Sequence, residues 1–353
     1  MEVNRNQLVG IIKNLSPGLA NKEIIEQSTH IIFYRNHICS YNDEIFVAFP
    51  FNCDFKGTVE ADLLLKIISK FEEEQIKMEI NPGKEGFVDI YGDVNHATLT
   101  LIIDSPIFEH LDNILNLCYA EKNWSKLPTD FQVGAEMCAF SASRDRTLGA
   151  MCCLRVMGED ILSTDKYRIG WYVMESGMGT FLIEADHAMQ ISRYKLLTLY
   201  ALSGGWIHFK SNDGMFMSCR IVEPPENQID LKSFFGTNQD SIRMKLPSDL
   251  IKRAELAGVL SEGKTATERQ VDLKFEGDLV TCSSVSEKGA IHSQSKLEKP
   301  VPFPINLQIS PDLLIEILKF VSSTVILQRM DEERGKAIFR TKGFSHLITV
   351  RLV

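Results

Sequence analysis

The strongest constraint on this chain is a short string that recurs three times. "VEADLLLKIISKF" occupies Val59 to Phe71, "IEADHAMQISRYK" Ile183 to Lys195, and "ISPDLLIEILKFV" Ile309 to Val321. Each reads as a strand end stepping into a short amphipathic helix, with Asp62, Asp186 and Asp312 in the same place. The intervals are 186 − 62 = 124 and 312 − 186 = 126 residues. In the third copy Ser310 suits an N-cap, Pro311 the first helical position, and Asp312 complements the helix dipole. In the first copy Leu63, Leu64, Ile67, Ile68 and Phe71 form the expected apolar stripe, with Lys66 and Lys70 on the opposite face.

Each copy has a similar neighbourhood. Downstream lie strand-like runs such as "QIKMEI" and "HATLTLII", separated by turn clusters such as "NPGKEG" and "SNDG". Upstream lie helix-like segments, "RNQLVGIIKNL", "EMCAFSASRD" and "PSDLIKRAELAGVL", each followed by two or three strands. A unit of about 120 residues therefore reads helix–strands–helix–strands, too long a period for a solenoid. The expected fold is α+β: three tandem domains, each an internally duplicated unit of antiparallel sheet with helices on one face. Boundaries fall in the polar stretches "EKNWSKLPTD" (121–130) and "FGTNQDS" (235–241), giving domains 1–123, 124–238 and 239–353.

The net charge of −9 argues against a whole-surface nucleic-acid binder, while leaving room for a local basic patch. None of the eight cysteines forms a C-x-x-C pair, so free buried thiols in a reducing compartment are expected. Gly204-Gly205 is not followed by a P-loop lysine, and the histidines show no H-E-x-x-H spacing. Thr164-Asp165 has no base or oxyanion hole beside it, and Asp62, Asp186 and Asp312 sit in separate domains. No catalysis, cofactor or metal is expected. The N-terminus lacks a signal-peptide apolar region, and no apolar run approaches the roughly 18 residues of a membrane span. A cytoplasmic protein with no membrane partner is expected.

Three strings carry a resemblance. In "LSTDKYRIGW" (162–171), Thr164 to Ile169 is similar to a T-D-G-H-R-L string; "HLITVRLV" at the C-terminus is similar to V-M-P-M-R-L; "FLIEADHAMQIS" is similar to a strand-to-helix step. With the threefold period and the length, the whole chain resembles the bacterial-type DNA sliding clamps, the beta subunits of DNA polymerase III, as a phage or divergent bacterial member. Lys166-Tyr167 stands in place of Gly-His, and Thr349 in place of Pro.

The resemblance implies a head-to-tail homodimeric ring with helices lining a pore around double-stranded DNA, read without sequence specificity. The replicative polymerase and the clamp loader would dock through a clamp-binding peptide. DNA-facing candidates are Lys13, Lys66 and Lys70; Arg144, Arg193 and Lys195; and Lys252, Arg253 and Lys319. The plainer reading of each is a solvated helix face. Peptide-pocket candidates are Thr164, Tyr167 and Ile169, then Ile348, Thr349, Val350 and Arg351, with Arg146 and Leu148 as walls. The plainer reading of Ile169, Ile348 and Val350 is strand core. Ring geometry joins the first domain to the partner's third, provisionally near Phe71–Met78 and Asp272–Phe275. A clamp-like scaffold not loaded on DNA is the other reading; a two-domain trimeric clamp is disfavoured by the third repeat.

Overall fold

The three repeated aspartates all fall on the second residue of a helix, Ala61–Ile68, Ala185–Ser192 and Pro311–Phe320. The first and third of these helices are closed by side-chain caps. Glu60 accepts from the Leu63 amide at 3.1 Å, and the Ser310 hydroxyl from the Leu313 amide at 3.3 Å. A serine cap of this kind contributes about 1 kcal/mol. The computed structural model describes residues 1–353 apart from 24, 228, 240, 264, 266, 267, 322 and 323. Asp240, in the expected boundary segment 235–241, thus lies outside the described residues.

In chain order the first stretch is β1 (Glu2–Asn4), α1 (Arg5–Asn14), β2 (His30–Tyr34), β3 (His37–Tyr41), β4 (Ile45–Pro50), β5 (Gly57–Glu60) and α2 (Ala61–Ile68). It continues through β6 (Gln75–Ile80), β7 (Phe87–Tyr91), β8 (His96–Thr100), α3 (Ile107–Ala120), β9 (Ser125–Lys126) and α4 (Phe131–Ala139). Next come β10 (Cys153–Thr164), β11 (Arg168–Glu184), α5 (Ala185–Ser192), β12 (Leu197–Ser203), β13 (Trp206–Ser211) and β14 (Phe216–Arg220). Then follow β15 (Ile242–Lys245), α6 (Leu250–Gly258), β16 (Val271–Glu276), β17 (Leu279–Ser286) and β18 (Gly289–Lys296). The chain closes with β19 (Ile305–Ile309), α7 (Pro311–Phe320), β20 (Thr324–Arg329), β21 (Arg334–Arg340) and β22 (Phe344–Leu352).

The chain divides into two compact units, one of Met1–Thr129 with Gln190–Val222, the other of Asp130–Met189 with Glu223–Val353. The first unit holds a four-stranded sheet, β1-β6-β7-β8, and an eight-stranded sheet, β5-β2-β3-β4-β14-β13-β12-β9. Strand pairing is antiparallel, as expected. Arg35 and Asn36 join β2 to β3 with φ of 48° and 57°, the left-handed pair that a two-residue hairpin turn requires.

The eight-stranded sheet is buried on both faces, which the expectation of helices on one face did not provide for. Ile32, Cys39 and Phe46 point to one side and pack with Ile107, Phe108, Leu111, Ile114, Leu115 and Cys118 of α3. Their strand neighbours Ile31, Phe33, Ile38 and Val47 point the other way and are also fully buried. On that second face the Ser40 hydroxyl donates to the Leu15 carbonyl just after α1, at 2.6 Å. The 14-residue helix α3 has no counterpart in the sequence expectation, which assigns no element between "HATLTLII" and the boundary at 121–130.

In the second unit β15-β20-β21-β22-β19-β16-β17-β18 form a continuous sheet, and β10 and β11 join it through β22. Helices α6 and α7 pack against each other, and α4 packs on β10 and β11.

Four sequence expectations shift. Leu63 is 43 % exposed, so the buried stripe of α2 is Ala61, Leu64 and Ile68, with Phe71 buried beyond the helix end. The helix placed at "EMCAFSASRD" is α4, which starts earlier and stops at Ala139, leaving Arg144 off any α-helix. Phe71–Met78 runs into β6 and Asp272–Phe275 lies in β16. Both are interior strands whose neighbours, β1 and β7, and β19 and β17, already pair with them. The outer strands of these sheets are instead β1 and β8, and β15 and β18.

Candidate functional site

A sheet strand that changes partner part-way along leaves a gap beside it. In the second unit, β22 pairs with β11 from Phe344 to Ile348, then with β19 through Arg351 and Leu352. Thr349 bridges the gap, its amide and hydroxyl each donating to the Tyr167 carbonyl at 2.9 Å. A cavity of about 390 Å³ opens at this fork, lined among others by Tyr167, Gln308, Leu313, Ile348, Val350 and Arg351. A second cavity, of about 830 Å³, includes Leu148, Lys166, Tyr167, Arg168, Leu313 and Lys319 in its walls. The two share Tyr167, which is 51 % exposed, and Leu313.

The turn that presents Tyr167 is built by its own side chains. Asp165 accepts from the amides of Tyr167 (3.0 Å) and Arg168 (3.1 Å). The Thr164 hydroxyl donates to the Arg168 carbonyl at 2.7 Å and accepts from the Lys166 amide at 3.2 Å. Lys166 consequently sits at φ +81°, left-handed backbone that glycine adopts freely and lysine does not.

Beneath the turn lies Arg168, only 6 % exposed, held by Asp165 at 2.8 Å and by Glu316 of α7 at 2.6 Å. Its guanidinium lies 5.5 Å from the Phe140 ring centre, and Phe140 stacks on Phe320 and on His346, each at 5.0 Å. Burial, and secondarily the charge of Arg168, hold the His346 pKa well below its ordinary value, so the imidazole is neutral near pH 7. Its Nδ1 is 3.2 Å from the Ser141 hydroxyl.

Of the pocket candidates, Tyr167, Ile348, Thr349, Val350 and Arg351 line the smaller cavity, and Leu148 with Tyr167 the larger. Thr164 instead organises the turn. Ile169 is core, packed with Leu162, Leu231, Phe235, Ile326, Ile338 and Leu347. Arg146 lies in a 3₁₀ segment, Arg146–Cys152, at 3.6 Å from Glu184. Sequence reasoning missed Leu313, Gln308 and Arg168 as site residues. Leu313 carried a usable signal, since it follows Asp312 in the repeated string.

The basic candidates separate by what holds them. Lys13 in the last turn of α1, Lys66 on α2 and Lys70 just beyond it are exposed and make no ion pair among the described residues. Arg193 and Lys195 are exposed just after α5, with Arg193 donating to Gln190 at 3.0 Å. Lys252 is exposed on α6, whereas Arg253 is tied to Asp249 at 3.0 Å and reaches Ser293 of β18 at 3.3 Å. Arg144 is 88 % exposed and 3.6 Å from Glu316. Lys319, expected to face DNA, lines the larger cavity.

No family model matches the sequence, and no curated protein does. Solved structures do match. The DNA polymerase III beta chain from Streptococcus pneumoniae superposes with a TM-score of 0.84 at 15 % identity, over 99 % of this chain and 98 % of that one. The chain has the sliding-clamp fold. The DNA polymerase sliding clamp from Bacillus subtilis gives 0.79 at 14 % identity, over 100 % of this chain and 98 % of that one. The DNA polymerase III beta subunit from Thermotoga maritima gives 0.78 at 13 % identity, with the same coverage. At such identities it is the fold that is shared. Among the described residues, no helix is long and apolar enough to cross a membrane.

Proposed function

We propose that the chain is a DNA sliding clamp: a cytoplasmic, non-catalytic homodimer that closes head to tail around duplex DNA and tethers a replicative polymerase. The observation that carries this reading is the likeness to beta subunits over 98–100 % of both chains, at TM-scores of 0.78–0.84. The three domains are 1–123, 124–238 and 239–353. The ring closes by strand addition between β8 of one protomer and β18 of its partner, both outer strands of their sheets. Exposed Lys13, Lys66, Lys70, Lys195 and Lys252, which make no ion pair among the described residues, lower the cost of holding phosphate without reading sequence. The paired cavities at Tyr167 receive the clamp-binding peptide of the polymerase and the loader.

The test is mass followed by topology. Small-angle scattering should give twice the 39.9 kDa chain mass with a hollow profile. The loaded protein should stay on circular DNA and run off linear DNA. A chain that remains monomeric at high concentration, or leaves both DNAs equally, would overturn the ring and favour the scaffold reading.

A further inference from the structure

The chain from 223 to 239 lies on the sheet of the second unit without joining it. Among the described residues of this stretch only Leu231 and Phe235 are buried, and no backbone–backbone hydrogen bond ties it to a strand. These two side chains, four apart in a 3₁₀ turn (Leu231–Phe235), pack on Leu162, Ile169, Ile326, Ile338 and Leu347. The Phe235 ring centre lies 5.3 Å from that of Trp171. The turn keeps its own shape: Asp230 accepts from the Lys232 amide at 3.0 Å, and the Ser233 hydroxyl donates to the Asp230 carbonyl at 2.7 Å.

Cations on carbonyls fasten this strap to the strands. Lys336 donates to the Phe234 and Gly236 carbonyls at 2.7 and 2.6 Å, and Arg340 to the Phe235 carbonyl at 3.1 Å. Arg155 donates to the Ile229 carbonyl at 3.0 Å, and Lys232 meets Asp160 at 2.7 Å. Lys336 is only 8 % exposed and pairs with no acid among the described residues. Lifting the strap would return its ammonium to water, which offsets part of the cost of breaking the caps. A segment with two buried anchors and no ladder bonds opens locally at lower free energy than the strands beneath it.

The ground under the strap is continuous with the cavities at Tyr167. Ile169 and Trp171 alternate along β11 and both meet the strap, and Tyr167, two residues before Ile169, lines both cavities. On β22, Leu347 lies under the strap and Thr349, on the same face, lines the smaller cavity. Lys336, which pins the strap, stands directly across the ladder from Thr349.

Resting on the docking reading above, we propose that residues 229–236 are a built-in competitor. The closed strap occupies the apolar ground beyond Tyr167, and a bound peptide reaches Ile169 and Leu347 only when the strap lifts. Binding is then weakened by the fraction of chains that are shut.

The probe is a fluorescein-labelled peptide of the strap's own sequence, IDLKSFFGT (229–237), titrated by anisotropy against the full chain. It should bind a chain carrying Leu231→Ser and Phe235→Ser at least about tenfold more tightly than the unsubstituted chain, the factor expected when roughly a tenth or less of the chain is open. Lys232→Glu, which loses only the half-exposed tie to Asp160, should shift binding in the same direction and decides the matter if the double variant folds poorly. Dodecapeptides selected on the unsubstituted chain from a displayed random library, and lost in Tyr167→Ala, should gain affinity in both variants. On binding the unsubstituted chain they should raise deuterium uptake in 229–237. Unchanged uptake, with equal affinity for all three chains, would overturn the competitor and leave docking at Tyr167 intact. Failure of the strap peptide to bind a folded double variant would overturn the competitor as well. Absence of any selected peptide lost in Tyr167→Ala would overturn the docking reading, and the competition with it.

Discussion

Lys166 and Arg168, two residues apart, show how one turn can hold two kinds of cost. Lys166 is strained at φ +81°, and a β-branched replacement would be strained further. Lys166→Val should lower unfolding free energy by about 2 kcal/mol, whereas Lys166→Gly should not lower it, because strain relief offsets glycine's chain entropy. Chemical denaturation of the two variants side by side measures this. Arg168 instead holds two carboxylates beneath the turn. Arg168→Met would leave Asp165 without its cation and Glu316 with only the exposed Arg144 at 3.6 Å, and a loss of about 3 kcal/mol is expected in the same assay. A loss below about 0.5 kcal/mol would show that water already satisfies those acids.

At the scale of elements, α3 and the β7–β8 hairpin carry distinct predictions. Leu111 is fully buried between α3 and the sheet. Leu111→Ala should cost about 3 kcal/mol, the penalty of a cavity in a packed core. A surface helix lying loosely on the sheet would give far less, so the equilibrium denaturation midpoint discriminates. Glu73 accepts from the amides of Val94 (2.9 Å) and Asn95 (3.0 Å) in the turn between β7 and β8. These bonds, the Val94 amide first, pull its pKa from 4.5 down to about 2. The folded value lies below the unfolded one. Its contribution is therefore complete above about pH 4.5 and disappears as pH falls towards 2. Hydrogen exchange at Val94 and Asn95 should accelerate across that window in excess of the ordinary acid trend, and Glu73→Gln should remove the excess.

For the whole molecule, an overall charge of −9 coexists with cations that make no ion pair among the described residues. On the ring reading, the free cations Lys13, Lys66, Lys70, Lys195 and Lys252 share the phosphate contacts. Charge reversal at each should flatten the logarithmic salt dependence of DNA association by up to about 0.9 for every phosphate no longer neutralised. Arg253, already tied to Asp249 and Ser293, should change the slope less. Equal effects from Lys66→Glu and from an exposed cation on a strand, such as Lys274→Glu in β16, would show that general charge alone is read.

The threefold period, the α+β class and the antiparallel hairpins were legible in the linear chain because they rest on local physics. A helix needs a cap and an apolar stripe within a few residues, so the strings at Asp62, Asp186 and Asp312 announce their helices directly. The string around Thr164–Ile169 likewise marked the turn that the cavities share. The helix α3 was also locally periodic, with Ile107, Leu111, Ile114, Leu115 and Cys118 on one face, but lay outside the repeat that organised the reading. Other features had no local signature. That β22 pairs with β11 only as far as Ile348, that Leu313 and Gln308 line a cavity with Tyr167, and that Lys319 lines a cavity with Lys166 all depend on residues more than a hundred positions apart. Only the assembled sheets decide which strands are interior, and so why β6 and β16 are flanked on both sides while β8 and β18 are outer strands. The sequence determined the elements through short-range capping and periodicity; the tertiary structure decided the site, because a gap between strands exists only after both partners have been chosen.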